Sequence, residues 1–293
     1  MARQAVLLDT DPGSEIDDVL ALLYLARHPE CELLGVTTVT GDTQRRAALA
    51  EIVLRDYGLG DVPVVAGMRE TLAWGIAQPE VQHYDCMRQR PHRLNHRTDA
   101  VDFLRETIRS RPGEVTLVSI GPLTHVALLL AVDPEIPSLL KGMVTMSGSF
   151  FRGEECEWNC EADPVAAAMT FSRSLKHRVV GMDVSVPCFL NRDEARAKFS
   201  HPAFDAVRPM TERWFSEKKM VVFHDPLAAT AVFRPDLMKY RTGMVICPED
   251  EFGRTRFEWT PEGPHQVARE VDSEGFFDEF FSVVERGDAA PVG

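Results

Sequence analysis

Short apolar runs of strand length alternate along the chain with longer segments whose apolar residues recur at the helical period. AVLLD precedes DDVLALLYLARH, ELLGVTTV precedes TQRRAALAEIVLRDYG, VTLVSI precedes LTHVALLLAV, and GMVTM precedes DPVAAAMTFSRSL, with HRVVGMDV after it. Unbroken apolar strands are typical of a sheet buried on both faces. Repeated strand-then-helix units therefore predict an α/β fold, in which helices cover both faces of a mostly parallel central sheet.

Three stretches are less regular. QHYDCMRQRPHRLNHRTD, between Gly67 and Asp99, is polar and indicates a long loop, and SGSFFRGEECEWNCEADP follows the strand that ends near Met146. The last third has helical patterns near 202–217 and 225–233, strand-like YRTGMVIC and HQVAREV, and a closing amphipathic SEGFFDEFFSVVER. Without a repeat or a clear linker, the sequence predicts one domain over residues 1–293, with a short flexible tail at 287–293.

Composition narrows the classes of function. The 293 residues carry a formal net charge of -13, which argues against a nucleic-acid polymer as partner, because phosphate binding needs clustered Lys and Arg. The N-terminus lacks a signal-type apolar segment and no window approaches a membrane span, so we expect a cytoplasmic protein. The six cysteines are scattered, and the close pair Cys156 and Cys160 has no further zinc ligands nearby.

The richest chemistry lies at the end of the first predicted strand. Five acids fall within ten residues there: Asp9, Asp11, Glu15, Asp17 and Asp18. In parallel sheets ligands bind outside the carboxyl ends of the strands. Crowded carboxylates repel one another unless a cation is present, and Ca²⁺ or Mg²⁺ prefers such oxygen ligands. The alternative is that the last two acids merely complement a helix N-terminus, but five acids together favour a site.

Several segments resemble the nucleoside hydrolase family, the inosine–uridine-preferring nucleoside N-ribohydrolases. DTDPGSEIDDVLAL resembles the family's N-terminal signature with two extra residues, and FHDPLAA resembles its late His-Asp motif. Between them GVTTVTGD, VPVVAG, TLVSIGPLTHVALLL and EWNCEADPVAA match further family segments in the same order. The resemblance covers nearly the whole chain, and implies the family's Rossmann-like sheet and hydrolysis of ribonucleosides to a free base and ribose.

The resemblance also implies a Ca²⁺ cofactor and a set of site residues. Its metal ligands map onto Asp11, Asp18, the carbonyl of Ile120, and Asp225. The family's general base, which takes a proton from the attacking water, maps onto Asp11 as well. The acid that assists the leaving base maps onto His224, with His83 as a weaker candidate. The small-molecule substrate is expected to contact Asp17, Asp42, His83, Glu157, Asn159 and Asp225.

These residue types suit the chemistry. Cleavage of an N-glycosidic bond passes through an oxocarbenium-like state, which a carboxylate-rich pocket stabilises. The family also implies a homodimer or homotetramer. Simpler roles remain open for single residues: Asp225 as a helix cap, Asn159 as a turn cap, and Trp158 and Trp74 as pocket walls rather than base-stacking platforms.

The chain departs from the family pattern at several places. The inserted Ser14 and Glu15 lengthen the first loop, so that an ungapped alignment would give Glu15 the role assigned to Asp17. Asp42 stands where the family usually has Asn, and cannot donate a hydrogen bond. The loop before Glu157 is shorter than usual. These departures surround the expected sugar and base pockets, so the substrate need not be a common nucleoside.

Two other classes of function fit part of the sequence. A strand that ends in D-x-D also resembles the haloacid-dehalogenase phosphatases, in which Asp9 would be the nucleophile beside Mg²⁺, but their later motifs are missing. A non-catalytic protein that binds a ribosyl ligand would retain the fold and the metal. Retention of Asp11, His224 and Asp225 argues against the second alternative, because a pure binder has little need of a general base.

Overall fold

The described residues, 3–153 and 156–286 of a computed structural model, form a nine-stranded sheet and a separate two-stranded ribbon. The strands are β1 Gln4–Thr10, β2 Cys31–Thr38, β3 Val64–Ala66, β4 Thr116–Ser119, β5 Gly142–Met146, β6 His177–Val180, β7 Phe189–Asn191, β8 Met220–Val222, β9 Met238–Ile246, β10 Arg256–Trp259 and β11 His265–Val271. Their order in the large sheet is β10-β9-β11-β6-β5-β4-β1-β2-β3, and β9 alone runs against its neighbours there. The ribbon pairs β7 with β8.

The helices connect the strands and cover the sheet. They are α1 Asp17–Arg27, α2 Thr43–Asp56, α3 Gln82–Met87, α4 Ala100–Ser110, α5 Thr124–Val132, α6 Ile136–Leu139, α7 Trp158–Ala162, α8 Pro164–Phe171, α9 Met182–Ser185, α10 Arg192–Phe199, α11 Arg208–Glu217, α12 His224–Thr230 and α13 Ser273–Arg286. Two short 3₁₀ turns span Pro202–Phe204 and Pro235–Leu237. None of the described helices is long and apolar enough to cross a bilayer.

Two hydrophobic cores lie on opposite faces of the large sheet. One packs α1, α2, α12 and α13 against strand residues such as Val6 and Leu8. The other packs α4, α5 and α8 against the alternate residues Ala5 and Leu7. Successive strand side chains point to opposite faces, so a strand buried on both sides must be apolar throughout, as AVLL is. The predicted fold class is therefore confirmed.

Most predicted elements lie where the pattern placed them, and the exceptions are short. The stretch predicted as a long loop contains α3, a single helical segment of six residues. The segment HRVVGMDV ends as a strand at Val180 and turns into α9. The ribbon β7–β8 and strand β10 were not predicted, because strands of three or four partly exposed residues leave no clear period in the sequence.

The sheet brings the polar segments together at one edge. β1, β4 and β5 are parallel neighbours, so Asp11, Ile120 and Ser147 follow three adjacent carboxyl ends. The predicted flexible tail, 287–293, lies outside the described residues. The single-domain organisation predicted for 1–293 stays a prediction.

Candidate functional site

Three buried carboxylates form the centre of the site. Asp17 and Asp18 occupy the first turn of α1, and Asp225 occupies the first turn of α12. One oxygen from each lies within 4.8 Å of the others. The backbone N–H of Asp225 also donates to Oδ2 of Asp17 at 3.4 Å. Two helix N-termini, more than two hundred residues apart in the chain, therefore direct their acids to one point.

Asp11 and the Ile120 carbonyl complete the predicted metal set from the neighbouring strand ends. Asp11 is buried and lines the same cavity as Ile120. Gly121 allows this approach, because a Cβ at that position would lie 2.8 Å from Oδ1 of Asp11 and 2.9 Å from a methyl of Val39. The tightest trio contains Asp17, predicted as a ribose contact, rather than Asp11.

The electrostatics of this cluster favour a cation. Burial, and then repulsion by neighbouring carboxylates, raise the pKa of Asp11, Asp17 and Asp225 well above the ordinary aspartate value. Burial also raises the pKa of Asp18, although hydrogen bonds from the Thr10 hydroxyl and the backbone oppose this change. A hard divalent ion would offset this repulsion and is bound by oxygen ligands. The residues thus fit the cation that the resemblance implied.

Arg46, which the sequence analysis did not identify, stabilises the loop that carries the acids. Its guanidinium is fully buried and donates to the backbone carbonyls of Asp11, Pro12, Thr40 and Gln78. Gly13 lets the loop turn, since a Cβ there would lie 2.3 Å from a methyl of Val81. A signal for Arg46 did exist, because it shares the buried helical stripe of Ala47, Ala50 and Val53 in α2.

Glu157 and Asn159 sit opposite the acidic trio, around the start of α7. The Glu157 carboxylate caps α7, accepting from the backbone N–H groups of Asn159 at 2.6 Å and Cys160 at 3.1 Å. The Asn159 amide nitrogen donates to the carbonyls of Ile120 at 3.0 Å and Met146 at 3.1 Å. Asn159 thereby ties the ends of β4 and β5 together, and its side-chain oxygen stays available to a ligand.

These groups line a cavity of about 250 Å³. His224 lies in its wall, with Nδ1 2.7 Å from the Ser185 hydroxyl, and burial lowers the pKa of His224 to about 4. Trp158 is half exposed at the cavity, which agrees with a wall role, whereas Trp74 does not line it. Cavity residues that the sequence reading did not identify are Gln78, Met146, Glu161 and Met182; nothing in their local sequence signals this position.

Two predicted substrate contacts do not line the cavity. Asp42 caps α2, accepting from the backbone N–H of Arg45 at 3.2 Å, and also pairs with that arginine's side chain. His83 is buried beneath the acidic loop, where its backbone N–H donates to the Gly13 carbonyl. Burial lowers the pKa of His83 to about 4. In this structure both residues support the loops around the site.

The positions of Asp9 and Glu15 bear on two alternatives that the sequence left open, namely Asp9 as a phosphatase nucleophile and the ungapped alignment of the first loop. Asp9 is fully buried and accepts from Thr37 at 2.6 Å and Ser119 at 3.3 Å, with the His125 Nδ1 at 2.7 Å. A carboxylate held in this way is not accessible as a phosphatase nucleophile. Glu15 is exposed at the cavity, while Asp17 and Asp18 belong to the buried trio with Asp225, an arrangement that favours the gapped alignment.

Comparison with known proteins identifies close relatives across almost the full length. The model of the family described as inosine-uridine preferring nucleoside hydrolase matches residues 6–278. Uridine nucleosidase 1 of Arabidopsis thaliana is 32% identical, over 93% of this chain and 90% of the relative.

Solved structures share the fold. A plant nucleoside hydrolase, the PpNRh1 enzyme, superposes with a TM-score of 0.84 at 25% identity, covering 97% of this chain and 99% of the other. A purine-preferring ribonucleoside hydrolase from Gardnerella vaginalis gives a TM-score of 0.82 at 23% identity, covering 99% and 100%. The second likeness, at that identity, concerns the fold alone.

Proposed function

Because the chain belongs to the inosine-uridine preferring nucleoside hydrolase family, we propose that it hydrolyses the N-glycosidic bond of ribonucleosides, with Ca²⁺ as cofactor, to give a free base and ribose. The observation that carries this proposal is the buried trio of Asp17, Asp18 and Asp225 at the carboxyl edge of the sheet. A related ribosyl compound is the alternative substrate, given the inserted Ser14 and Glu15.

The proposed metal ligands are Asp11, Asp18, the Ile120 carbonyl and Asp225. All are oxygen donors lining one cavity, which suits Ca²⁺ rather than a metal that prefers nitrogen or sulfur. A bound divalent ion would supply positive charge that holds water and lowers its pKa. Asp17, the remaining member of the trio, would then face the sugar.

The residues of the chain divide the chemistry between them. Asp11 takes a proton from the attacking water, whose oxygen adds to C1′ of the ribose as the bond to the base breaks. Asp17, Glu157, Asn159 and Asp225 bind the sugar hydroxyls and stabilise the positive charge that develops on the ring. Asn159 contributes as an acceptor only, since its amide nitrogen is engaged by two carbonyls.

His224 is proposed to assist the leaving base. At neutral pH its ring is uncharged, because burial lowers its pKa to about 4. When the Ser185 hydroxyl donates to Nδ1, the proton of the neutral ring resides on Nε2, and this N–H donates a hydrogen bond to the departing base, while solvent supplies the proton that the base takes up. Ser185 thus sets the tautomer, and Ser185→Ala should lower kcat more than it changes KM.

The charge of the cavity limits the substrate class. Among the described residues, none that lines it is Lys or Arg and seven are acidic: Asp11, Glu15, Asp17, Asp18, Glu157, Glu161 and Asp225. Even a bound divalent cation leaves an excess of negative charge, which repels a phosphate group. We therefore expect activity on nucleosides and little on their 5′-phosphates.

The first experiment measures ribose release by a reducing-sugar assay from purine, pyrimidine and modified ribonucleosides, with Ca²⁺ and after chelation. We expect turnover that chelation abolishes, and loss of turnover in Asp11→Ala and Asp225→Ala. Asp61→Ala, an exposed acid outside the cavity, is the matched control. Full activity of the Asp225 variant would refute the metal assignment. Tight Ca²⁺ binding without turnover would favour a ribosyl-binding role.

Asp42 and His83 are proposed to act on the substrate only indirectly, through the loops they support.

The assembly proposed from the family resemblance is a homodimer or homotetramer of single-domain chains, located in the cytoplasm and serving nucleoside salvage. Light scattering of the purified protein measures the oligomeric state, and a monomer at micromolar concentration would contradict this proposal.

A further inference from the structure

A second cavity lies at the edge of the sheet opposite the acidic site. It has a volume of about 620 Å³ and runs across the amino ends of β1, β4, β5, β6 and β11. We propose that this cavity binds a small phosphorylated molecule, a phosphate monoester with a ring-bearing body, through Lys141, Lys176 and Arg178.

The charge of the lining carries the proposal. Lys141 and Lys176 immediately precede β5 and β6, and Arg178 projects from β6. Within the part of the chain that the structure describes, no Asp or Glu lines this cavity, although the chain as a whole carries a formal net charge of -13. Three cations gathered without acids are typical of an anion site, because each of them attracts a negatively charged ligand and no neighbouring carboxylate competes for it.

The three cations are free to bind a ligand. None of them forms an ion pair with any carboxylate in 3–153 or 156–286. Lys141 donates to the amide oxygen of Gln4, and Arg178 reaches the Ala231 carbonyl at 3.4 Å. Such neutral partners leave the positive charge uncompensated. Of the two acids that flank lining residues in the sequence, Asp236 beside Pro235 is paired with Arg234 at 2.7 Å, and Glu262 beside Gly263 is exposed.

A buried histidine forms part of the cavity wall. His177 lines the cavity and is 2% exposed. Its Nε2 lies 2.8 Å from the Thr145 hydroxyl, whereas its Nδ1 has no hydrogen-bond partner among the described residues. Nδ1 is itself closed off from solvent, and the ring packs between Phe171 and His265, so His177 supports the wall of the cavity rather than contacting the ligand.

The size and the other walls define the rest of the ligand. The volume exceeds what a bare phosphate fills and falls within the range of small-molecule sites. Val232, Phe233 and Pro264 supply an apolar surface beside the cations. A phosphate monoester with a planar or sugar ring matches both the cationic and the apolar part of the lining. The acidic cavity at the other edge would repel the same molecule, so the two sites select opposite charge.

The test uses isothermal titration calorimetry of the Ca²⁺-loaded protein with adenosine 5′-monophosphate, and with inorganic phosphate as the headgroup alone. We expect the nucleotide to bind and phosphate to bind more weakly. The double variant Lys176→Ala/Arg178→Ala should weaken nucleotide binding by at least about tenfold, since two charge-assisted contacts are lost. Lys219→Ala removes the same charge from an exposed loop outside the cavity and should bind as the parent does.

Asp225→Ala separates this site from the acidic one. Unchanged nucleotide binding in that variant supports the proposal, and binding lost there but kept in the double variant would place the ligand at the acidic site and overturn it. No measurable binding, or phosphate binding without nucleotide binding, would also overturn it. Thermal unfolding and ribose release of the Lys176→Ala/Arg178→Ala variant, whose substitutions are distant from the acidic site, verify that loss of binding does not reflect loss of fold.

Discussion

Neutralising one member of the acidic trio should stabilise the protein when no metal is bound. Asn has nearly the shape of Asp, so Asp225→Asn removes the charge with little change in packing. The backbone N–H of residue 225, which donates to Asp17 at 3.4 Å, is retained. The variant therefore isolates the repulsion between carboxylates whose oxygens lie within 4.8 Å of one another.

The magnitude follows from that distance. At an effective dielectric constant of about 20, two unit charges at this separation repel by about 3 kcal/mol. Asp225 forms one such pair with Asp17 and another with Asp18, so full ionisation of all three acids costs at least about 6 kcal/mol. Protons bound by the crowded acids relieve much of this repulsion at neutral pH. We therefore expect a gain of about 2 kcal/mol, equivalent to a rise in Tm of about 3 °C.

The pH dependence fixes the sign of the effect. Burial and neighbouring carboxylates raise the pKa of Asp225 in the folded state, so the folded protein binds protons more readily than the unfolded chain. The free energy of unfolding of the metal-free parent then falls as the pH rises above the unfolded value of about 4. The advantage of Asp225→Asn should be absent near that pH and grow toward about pH 8.

Thermal unfolding by circular dichroism, with chelator and with excess Ca²⁺, measures the effect. In chelator at about pH 8 the variant should melt above the parent, and Ca²⁺ should reverse the order, because the parent gains binding energy that the variant lacks. Asp61→Asn, at an exposed position, should follow the parent throughout. A variant less stable than the parent in chelator at high pH would refute the reasoning.

Three further predictions concern the frame of the site. Asn159→Ala leaves the Ile120 and Met146 carbonyls without their shared donor and should lower the free energy of unfolding by about 2–3 kcal/mol; an unchanged urea midpoint would contradict this bridging role. Glu51→Gln should lower the free energy of unfolding by about 3 kcal/mol, because this buried carboxylate binds two arginines and a buried histidine. A loss below about 1 kcal/mol in the same urea assay would show that these contacts are dispensable. Burial lowers the pKa of His83 to about 4, so the folded state binds fewer protons than the unfolded chain. The free energy of unfolding should therefore fall by about 3 kcal/mol as the pH falls from about 6.5 to 4. His83→Asn should flatten this acid limb of the stability profile, and an equally steep limb would contradict the assignment.

The alternation of apolar runs with helical stripes was enough to predict the layered α/β fold. Burial on both sheet faces forces strands such as VLL in β1 to be apolar at every position, and that constraint is local in sequence. The position of the site followed too, because acids directly after a parallel strand must lie at its carboxyl edge. Short strands such as β10 were not predicted, because four partly exposed residues show no clear hydrophobic period.

The roles of single residues depended on contacts between distant segments. Asp9 and Asp11 are both acids at one strand end, yet Asp9 is enclosed by Thr37, Ser119 and His125, and Asp11 lines the cavity. Residues two apart on a strand point to the same face, so pleating does not separate these two acids. Asp11 lies just past the end of β1, and only the packed neighbours decide which acid is enclosed. Asp42 likewise became a helix cap because its own helix offered nearby N–H groups.

The sequence by itself determined the fold class, the chemical character of the acidic edge and, through ordered motifs, the family. The tertiary structure decided which carboxylates converge, because Asp17 and Asp225 meet only when α1 and α12 pack together. It also decided the place of Arg46, whose charge is acceptable in the interior only where several backbone carbonyls surround it. Such convergence depends on contacts between segments that are remote in the chain, and no local sequence pattern specifies those contacts.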